Sequence, residues 1–259
     1  MQYEILMSTM NRKSILDLKL EEKNIFENCL IINQITDSNI IIPDEIHLEN
    51  NIRMLSFKEK GISKSRNRAI ENSVGTIGII TDDDIVFEKD IFREILDIFK
   101  KNKSDILTFK FKKITKSKKY KNYSYIHNKQ TIRKVSSVEI VMNLDKVKEK
   151  KIYFDERFGL GSDYNSGEEN IFLIDCIKRK LQVKFYPKII LTHPDDSSRE
   201  RFDENKMFGK GAFFKRVYGK AGLFYIIIFC IYKYKIYKRQ ISFLNALKSS
   251  LNGYLNFKK

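Results

Sequence analysis

The chain has 259 residues, of which 42% are hydrophobic, and its formal net charge is +16. A chain of this length and apolar content can bury a substantial core, so an intrinsically disordered protein is excluded. Cys29, Cys176 and Cys230 are widely spaced among apolar residues, which argues against a disulfide framework or a zinc site and favours reduced core thiols in a cytoplasmic protein.

The first half of the chain alternates strand-like and helix-like segments, a pattern typical of an α/β domain with a mostly parallel sheet. In chain order, the sequence predicts a strand at 3–8, a helix at 15–26, strands at 29–33 and 53–57, a helix at 63–74, a strand at 76–81, a helix at 91–100 and a strand at 105–112. Ser63 would cap the helix at 63–74, and Gly75 would end it.

In the second half, a loop with two glycines at 158–162 precedes a nearly all-apolar helix that runs to Ile177, and residues 183–193 predict a late strand. We therefore expect a Rossmann-like α/β fold, in which helices flank a mostly parallel central sheet and a basic helical tail follows. The charge distribution changes near residue 205, which divides the chain into a main domain, 1–205, and a tail, 206–259.

The tail is basic and rich in aromatic residues. A segment of this kind around the short apolar run at 221–232 suits binding to an anionic membrane surface, although about 20 residues would be needed to cross a bilayer. The alternative is a core helix with a solvated basic face. Because no secretory signal is visible, we expect a cytoplasmic protein that associates peripherally with the inner face of the cell membrane. No acid follows Glu204, and the cations after it are Lys206, Lys210, Lys215, Arg216, Lys220, Lys233, Lys235, Lys238, Arg239, Lys248, Lys258 and Lys259.

Three consecutive carboxylates, Asp82, Asp83 and Asp84, follow the predicted strand at 76–81. Ligands of open α/β sheets bind at the carboxyl ends of the strands, which is where these residues fall. Carboxylates this close repel one another unless they are protonated, solvated or bound to a cation. The cluster therefore predicts a site for Mg²⁺ or Mn²⁺, and the alternative is an Asp-rich turn or helix cap.

Basic side chains crowd the first turn of the helix predicted at 63–74. Lys64, Arg66 and Arg68 lie where the helix dipole already presents partial positive charge, so an anion bound there would be favourable. The alternative is that these side chains only point into solvent. A cation on the aspartates and basic groups nearby would together hold a diphosphate, as a nucleotide-linked substrate requires.

Four stretches occur in an order and at spacings that carry a family resemblance: Ser8–Arg12, Gly61–Asn67, Asp82–Asp84 as an Asp-x-Asp motif, and Gly167–Glu169. On these residues the chain resembles the family 2 glycosyltransferases over residues 3 to 195. These are inverting enzymes with the nucleotide-diphosphosugar-binding GT-A fold. The resemblance implies a nucleotide-sugar-binding glycosyltransferase domain.

The resemblance also implies roles for the acidic residues. Asp82 would lie near the ribose or the donor sugar, Asp84 would bind the Mg²⁺ or Mn²⁺ on the diphosphate, and Asp83 would be the variable middle residue beside the nucleotide. His193 falls where some relatives have a further metal-associated histidine, and the alternative is a packed or surface histidine.

The resemblance further implies that Thr9 and Arg66 hold the nucleotide and that Asn67 shapes the same loop. The chain departs from the family at Asn33 and Gln34, where many relatives carry an aspartate that contacts the nucleobase. The identity of the base is therefore open, with UDP as the expected nucleotide.

The acidic pair Glu168 and Glu169 resembles the family's motif at the acceptor site, where the second acid acts as general base. Glu169 is the expected base, and Glu168 is held in reserve. Ser166 and Glu169 also have the spacing of a helix capping box, which is the structural alternative.

The implied function is inverting, metal-dependent transfer of a sugar from a nucleoside-diphosphate sugar to a hydroxyl of a glycan or lipid-linked glycan, in bacterial surface polysaccharide synthesis. A sugar nucleotidyltransferase would be expected to have a glycine-rich loop after the first strand, and 8–12 contains no glycine. A non-enzymatic nucleic-acid-binding protein has the net charge in its favour but no recognisable motif, so no nucleic-acid partner is expected.

Overall fold

The computed structural model describes residues 1–115, 118–194 and 202–258. The described chain forms two compact units. The first, which we call the sheet unit, contains residues 1–60, 64–153 and 172–194, and the second, the helical unit, contains 61–63, 154–171 and the described residues from 202 onward. The predicted boundary near residue 205 stays a prediction.

All strands of the described chain belong to one sheet in the sheet unit. They are β1 (Tyr3–Met10), β2 (Cys29–Gln34), β3 (Glu45–Leu48), β4 (Ile52–Phe57), β5 (Ile77–Asp82), β6 (Val86–Phe87), β7 (Ile106–Lys113), β8 (Tyr125–Ile126), β9 (Ile140–Asn143) and β10 (Val183–His193). The helices are α1 (Ile62–Asn72), α2 (Ile91–Asn102), α3 (Lys129–Ile132), α4 (Leu144–Glu149), α5 (Glu168–Lys178), α6 (Glu204–Tyr218), α7 (Gly222–Tyr237) and α8 (Phe243–Asn256).

The strand order is β3-β4-β2-β1-β5-β9-β7-β10-β6, with β8 paired to β10. The long strands pair in parallel, β4 with β2, β2 with β1, β1 with β5 and β7 with β10, whereas β3, β6, β8 and β9 are short and antiparallel. Because β9 is antiparallel to both β5 and β7, β5 and β7 point the same way. The predicted α/β fold with a mostly parallel central sheet flanked by helices is confirmed. The carboxyl ends of β1, β5 and β10 therefore lie on one edge of the sheet.

Buried apolar side chains from both faces of the sheet form the core of the sheet unit. Ile5 and Leu6 of β1, like Ile79 and Ile80 of β5, point to opposite faces of the sheet, and all four are buried, as expected for parallel strands that are covered on both sides. The three cysteines are buried and free, as the sequence predicted.

Several segments differ from the sequence prediction. The short elements β6, β8, β9, α3 and α4 were not predicted, and α1 begins at Ile62, so Ser63 lies inside the helix that it was expected to cap. The helix predicted at 15–26 is two short 3₁₀ turns, Ile15–Leu18 and Glu21–Lys23, because Lys19 and Asn24 adopt left-handed backbone conformations that end each turn. Strand β3 was not predicted. It forms a hairpin with β4 through the three-residue loop 49–51, in which Asn50 and Asn51 both have a φ of 57°, a left-handed conformation that asparagine tolerates better than most residues.

The helical unit contains α6, α7 and α8 together with residues 154–171. Asp155 joins these parts, because it accepts hydrogen bonds from Arg157 at 2.7 Å and from Arg216 of α6 at 2.8 Å. Glycines let α6 and α8 approach closely: a Cβ on Gly211 would lie 1.7 Å from the Ser250 carbonyl oxygen. Within the described part of the chain, none of the helices combines the length and apolar content that crossing a membrane requires.

Candidate active site

Thr9 and Asp83 meet at the carboxyl ends of two adjacent strands. Ser8 of β1 is paired with Asp82 of β5, so the residues that follow them face each other across the sheet edge. The Thr9 hydroxyl donates to Asp83 Oδ2, and Arg12 Nη2 lies 2.7 Å from the same oxygen. Arg12 Nε also donates to Thr9 Oγ1 at 3.2 Å. Asp83 is thus held by the loop that follows β1.

The backbone of Arg12 is fixed by the next strand in the sheet. Asn33, near the end of β2, is fully buried, accepts from the Arg12 N–H at 3.1 Å and donates its side-chain amide to the Arg12 carbonyl at 2.9 Å. Asn33 therefore shapes the loop that follows β1. Neither this role of Asn33 nor the ion pair of Arg12 was predicted, although Arg12 stood in one of the matching stretches.

Helix α1 brings Arg66 to the same edge. The Arg66 side chain is 4% exposed, and its Nη2 atom lies 3.2 Å from Asp82 Oδ1. Asn67, the next residue, is also buried. The Nη2 atom of Arg68, two residues further along α1, lies 3.4 Å from Glu59 Oε2. The arginines of α1 thus face carboxylates, which relieves the conflict with the helix dipole.

The Asp84 side chain, which is 53% exposed, faces His193, the last residue of β10. His193 Nε2 lies 3.7 Å from Asp84 Oδ1. Burial raises the pKa of Asp84, His193 opposes this rise, and the other two aspartates add to it. His193 Nδ1 lies 2.7 Å from the Pro194 carbonyl oxygen. Since a carbonyl only accepts, Nδ1 carries the proton, and in the neutral ring the lone pair of Nε2 faces Asp84.

The chemistry of this donor pair fits a divalent cation bound mainly by substrate. Among the described residues, no group of three or more His, Cys, Asp and Glu side chains is arranged to hold a metal ion. Mg²⁺ in nucleotide sites is usually bound by one or two carboxylates together with substrate phosphates and water. Asp84, with His193 fixed by its backbone hydrogen bond, meets that smaller requirement. Asp82 and Asp83 are engaged by arginines instead.

Glu168 and Glu169 are the first two residues of α5, and both belong to the helical unit. The preceding Gly167 has a φ of 100°, and a Cβ there would lie 2.8 Å from the ring of Phe213, so glycine is required on both counts. The Gly167 carbonyl accepts the first helical hydrogen bond, from the Ile171 N–H at 3.0 Å, so Gly167 rather than Ser166 holds the cap position that a capping box with Glu169 would require. Glu168 is buried, and Glu169 is half-buried.

A family model described as Glycosyl transferase family 2 matches residues 8–167. This stretch contains Thr9, Arg66, the three aspartates and the glycine before Glu168. The chain belongs to glycosyl transferase family 2. Membership favours a glycosyltransferase over the nucleotidyltransferase and the nucleic-acid-binding protein.

Solved structures share the fold of this family 2 glycosyltransferase. S. aureus TarS 1-349 in complex with UDP-GlcNAc matches with a TM-score of 0.65 at 14% identity, over 98% of this chain and 82% of that chain. The complex of the same fragment with UDP matches with a TM-score of 0.62 at 15% identity, over 98% of this chain and 81% of that chain. No curated protein sequence matches. At this identity the structural similarity establishes the fold.

The transferase thus brings most of its predicted site residues to one edge of the sheet. These are Thr9, Arg66, Asn67, Asp82, Asp83, Asp84 and His193. Their individual roles stay predictions, as do those of Glu168 and Glu169.

Proposed function

We propose that this family 2 glycosyltransferase moves a sugar from a UDP-sugar to a hydroxyl group of a glycan acceptor, with inversion at the anomeric carbon and with Mg²⁺ or Mn²⁺ as cofactor. The observation that carries the proposal is that the three neighbouring aspartates have different partners. Two of them bind arginines, and the third faces a histidine. The complexes of the structurally similar TarS with UDP and UDP-GlcNAc support the choice of nucleotide.

Asp84 and His193 would hold the cation, with Asp82 beside them. When bound, the cation would neutralise the charge that develops on the departing diphosphate. Thr9, Asn67 and the Arg66–Asp82 pair would shape the nucleotide site, since they lie at the edge where α/β sheets bind their ligands.

Glu169 would act as general base. It takes the proton from the acceptor hydroxyl as the oxygen attacks the anomeric carbon, and the bond to the diphosphate breaks on the opposite side. The electron pair of that bond leaves with UDP. Glu169 lies in the first turn of α5, where a negative charge interacts favourably with the helix dipole.

The acceptor in this proposal is a lipid-linked glycan used in surface polysaccharide synthesis, and the enzyme works at an anionic membrane surface. The basic segment after Glu204 supports this location, since cations are attracted to anionic lipid.

UDP binding and release of UDP from a panel of UDP-sugars test the proposal, in the presence of Mn²⁺ and after chelation. Glu169→Gln should bind UDP as the unmodified protein does while turnover falls by about 10² to 10⁴. Glu168→Gln is the matched control, because it removes the same charge one residue earlier. If Glu168→Gln abolishes turnover and Glu169→Gln does not, the base is Glu168. If no nucleotide sugar binds or is turned over, the proposal is wrong.

A further inference from the structure

Helix α7 has one buried side and one exposed side. Ile226, Cys230 and Tyr237 are fully buried on its inner side, and Phe229 packs with its ring centre 5.6 Å from that of Phe214 on α6. The Tyr237 hydroxyl donates to the Cys230 carbonyl at 2.8 Å. The inner side is therefore fully used in packing within the helical unit.

The opposite side of α7 is exposed and apolar. Leu223, Phe224, Ile227, Ile228 and Ile231 are between 42% and 65% exposed, and their spacing places them on one helix face. We refer to these five residues as the α7 outer face. Single exposed apolar side chains are ordinary, but a continuous patch marks an interaction surface.

Cations lie at both ends of the α7 outer face. Lys220 precedes Phe224 by one helical turn, Lys235 follows Ile231 by one turn, and Lys238 and Arg239 come next; all four are exposed. The sequence after Glu204 has no acidic residue, so that segment offers these cations no carboxylate side chain.

The charge distribution favours anionic lipid over a second copy of the chain. A twofold interface brings the same patch of both copies together, and either orientation of two α7 helices would place cations against cations, which is unfavourable. Lipid phosphates are complementary to them. With 16 residues, α7 is about 24 Å long, which is short of the roughly 30 Å of a hydrocarbon core. It can lie along a bilayer surface but cannot cross one.

We propose that the α7 outer face docks the protein onto anionic bilayers. The helix lies parallel to the membrane, its five apolar side chains enter the boundary between headgroups and acyl chains, and the flanking lysines and arginine contact lipid phosphates. The inference rests on the proposed function, which explains why an enzyme of this kind would bind a membrane. It assigns the lipid contact to one helix face instead of to the whole basic segment. The close packing of α6 on α8 at Gly211 and Gly253 makes truncation of the segment a poor test.

Point substitutions on full-length protein test the proposal by co-sedimentation with vesicles of phosphatidylcholine, with or without phosphatidylglycerol. Replacing Phe224, Ile228 and Ile231 by Ser should weaken binding to anionic vesicles by about tenfold or more. The matched control replaces three comparably exposed apolar residues of the sheet unit, Leu16, Ile41 and Val74, by Ser, and should bind as the unmodified protein does. Lys220→Gln and Lys235→Gln should each cost about fivefold on anionic vesicles. Equal losses in the two triple variants, or no binding by the unmodified protein, would overturn the proposal.

A single tryptophan gives a second, site-specific reading, because the chain contains none. The emission of Phe224→Trp should shift to the blue and be quenched by brominated lipid when anionic vesicles are added. The emission of Phe26→Trp should not change, because Phe26 is 58% exposed but belongs to the sheet unit. A blue shift of Phe224→Trp that depends on protein concentration without lipid would mean that a second copy covers the face, and the proposal would be wrong. Neither measurement needs donor, metal or acceptor. A negative result would therefore contradict the membrane docking and leave the proposed transfer reaction untouched.

Discussion

Removing Arg12 tests whether Asp83 is anchored by the protein. Arg12 Nη2 lies 2.7 Å from Asp83 Oδ2. Opposite charges whose centres are about 4 Å apart attract each other by about 4 kcal/mol at an effective dielectric constant of 20. The two side chains are 39% and 24% exposed, so solvent screening reduces the net value to about 1 kcal/mol. We therefore expect Arg12→Ala and Asp83→Ala to be coupled by about 1 kcal/mol in the free energy of unfolding.

The assay is a double-mutant cycle measured by urea unfolding with circular dichroism, at low and at high salt. The coupling should shrink as salt rises. Lys19 and Glu22, 66% and 69% exposed at 3.2 Å, supply a control cycle with an expected coupling of about 0.3 kcal/mol. UDP affinity measured on the same variants reports whether the anchor also serves nucleotide binding. A coupling no larger than the control would refute the anchoring role and leave Asp83 as a candidate ligand.

Three further predictions follow from other parts of the chain. Asp84→Asn should lower turnover in Mn²⁺ by roughly 100-fold, measured as UDP release, and unchanged turnover would place the cation elsewhere. Burial, with a neighbouring lysine, lowers the pKa of His127 from 6.5 to about 4. Between these two pH values the unfolded chain binds more protons than the folded one. The contribution of His127 to the free energy of unfolding, fully present above pH 6.5, should therefore fall by about 1.4 kcal/mol per pH unit as the pH drops toward 4. Urea unfolding across this range should show a slope that is steeper by this amount in the unmodified protein than in His127→Gln. Gly211→Ala should destabilise the protein by about 3 kcal/mol or more, because its Cβ would meet backbone at 1.7 Å, whereas Gly209→Ala, with 3.7 Å of room, should be neutral or stabilising in thermal unfolding.

The long strands of the sheet were predictable because their burial leaves a direct trace in the sequence. β1 and β5 are covered on both faces and appear as short, mostly apolar runs. The short strands β3, β6, β8 and β9 contain two to four residues each, which is too few to set a periodicity. The pairing of β6, β8 and β9 depends on strands that are distant in sequence. The region 15–26 has helical spacing, but the left-handed residues Lys19 and Asn24 interrupt it.

The position of the candidate site was predictable, but its internal pairing was not. The rule that ligands bind at the carboxyl ends of strands located Asp82 to Asp84. Which carboxylate faces which cation depends on side-chain direction and strand register, so the ion pair of Asp83 with Arg12 and the support of Arg12 by Asn33 emerge only from the folded chain.

The pairing of Asp82 and Asp83 with arginines has a consequence for the order in which ligands arrive. Before the donor binds, a free ion would be offered chiefly one carboxylate and one imidazole, Asp84 and His193, which is too small a set for tight retention; the diphosphate supplies further oxygens. We therefore expect the ion to enter together with the nucleotide sugar, so that chelation would halt turnover and leave the melting temperature of the ligand-free enzyme unchanged.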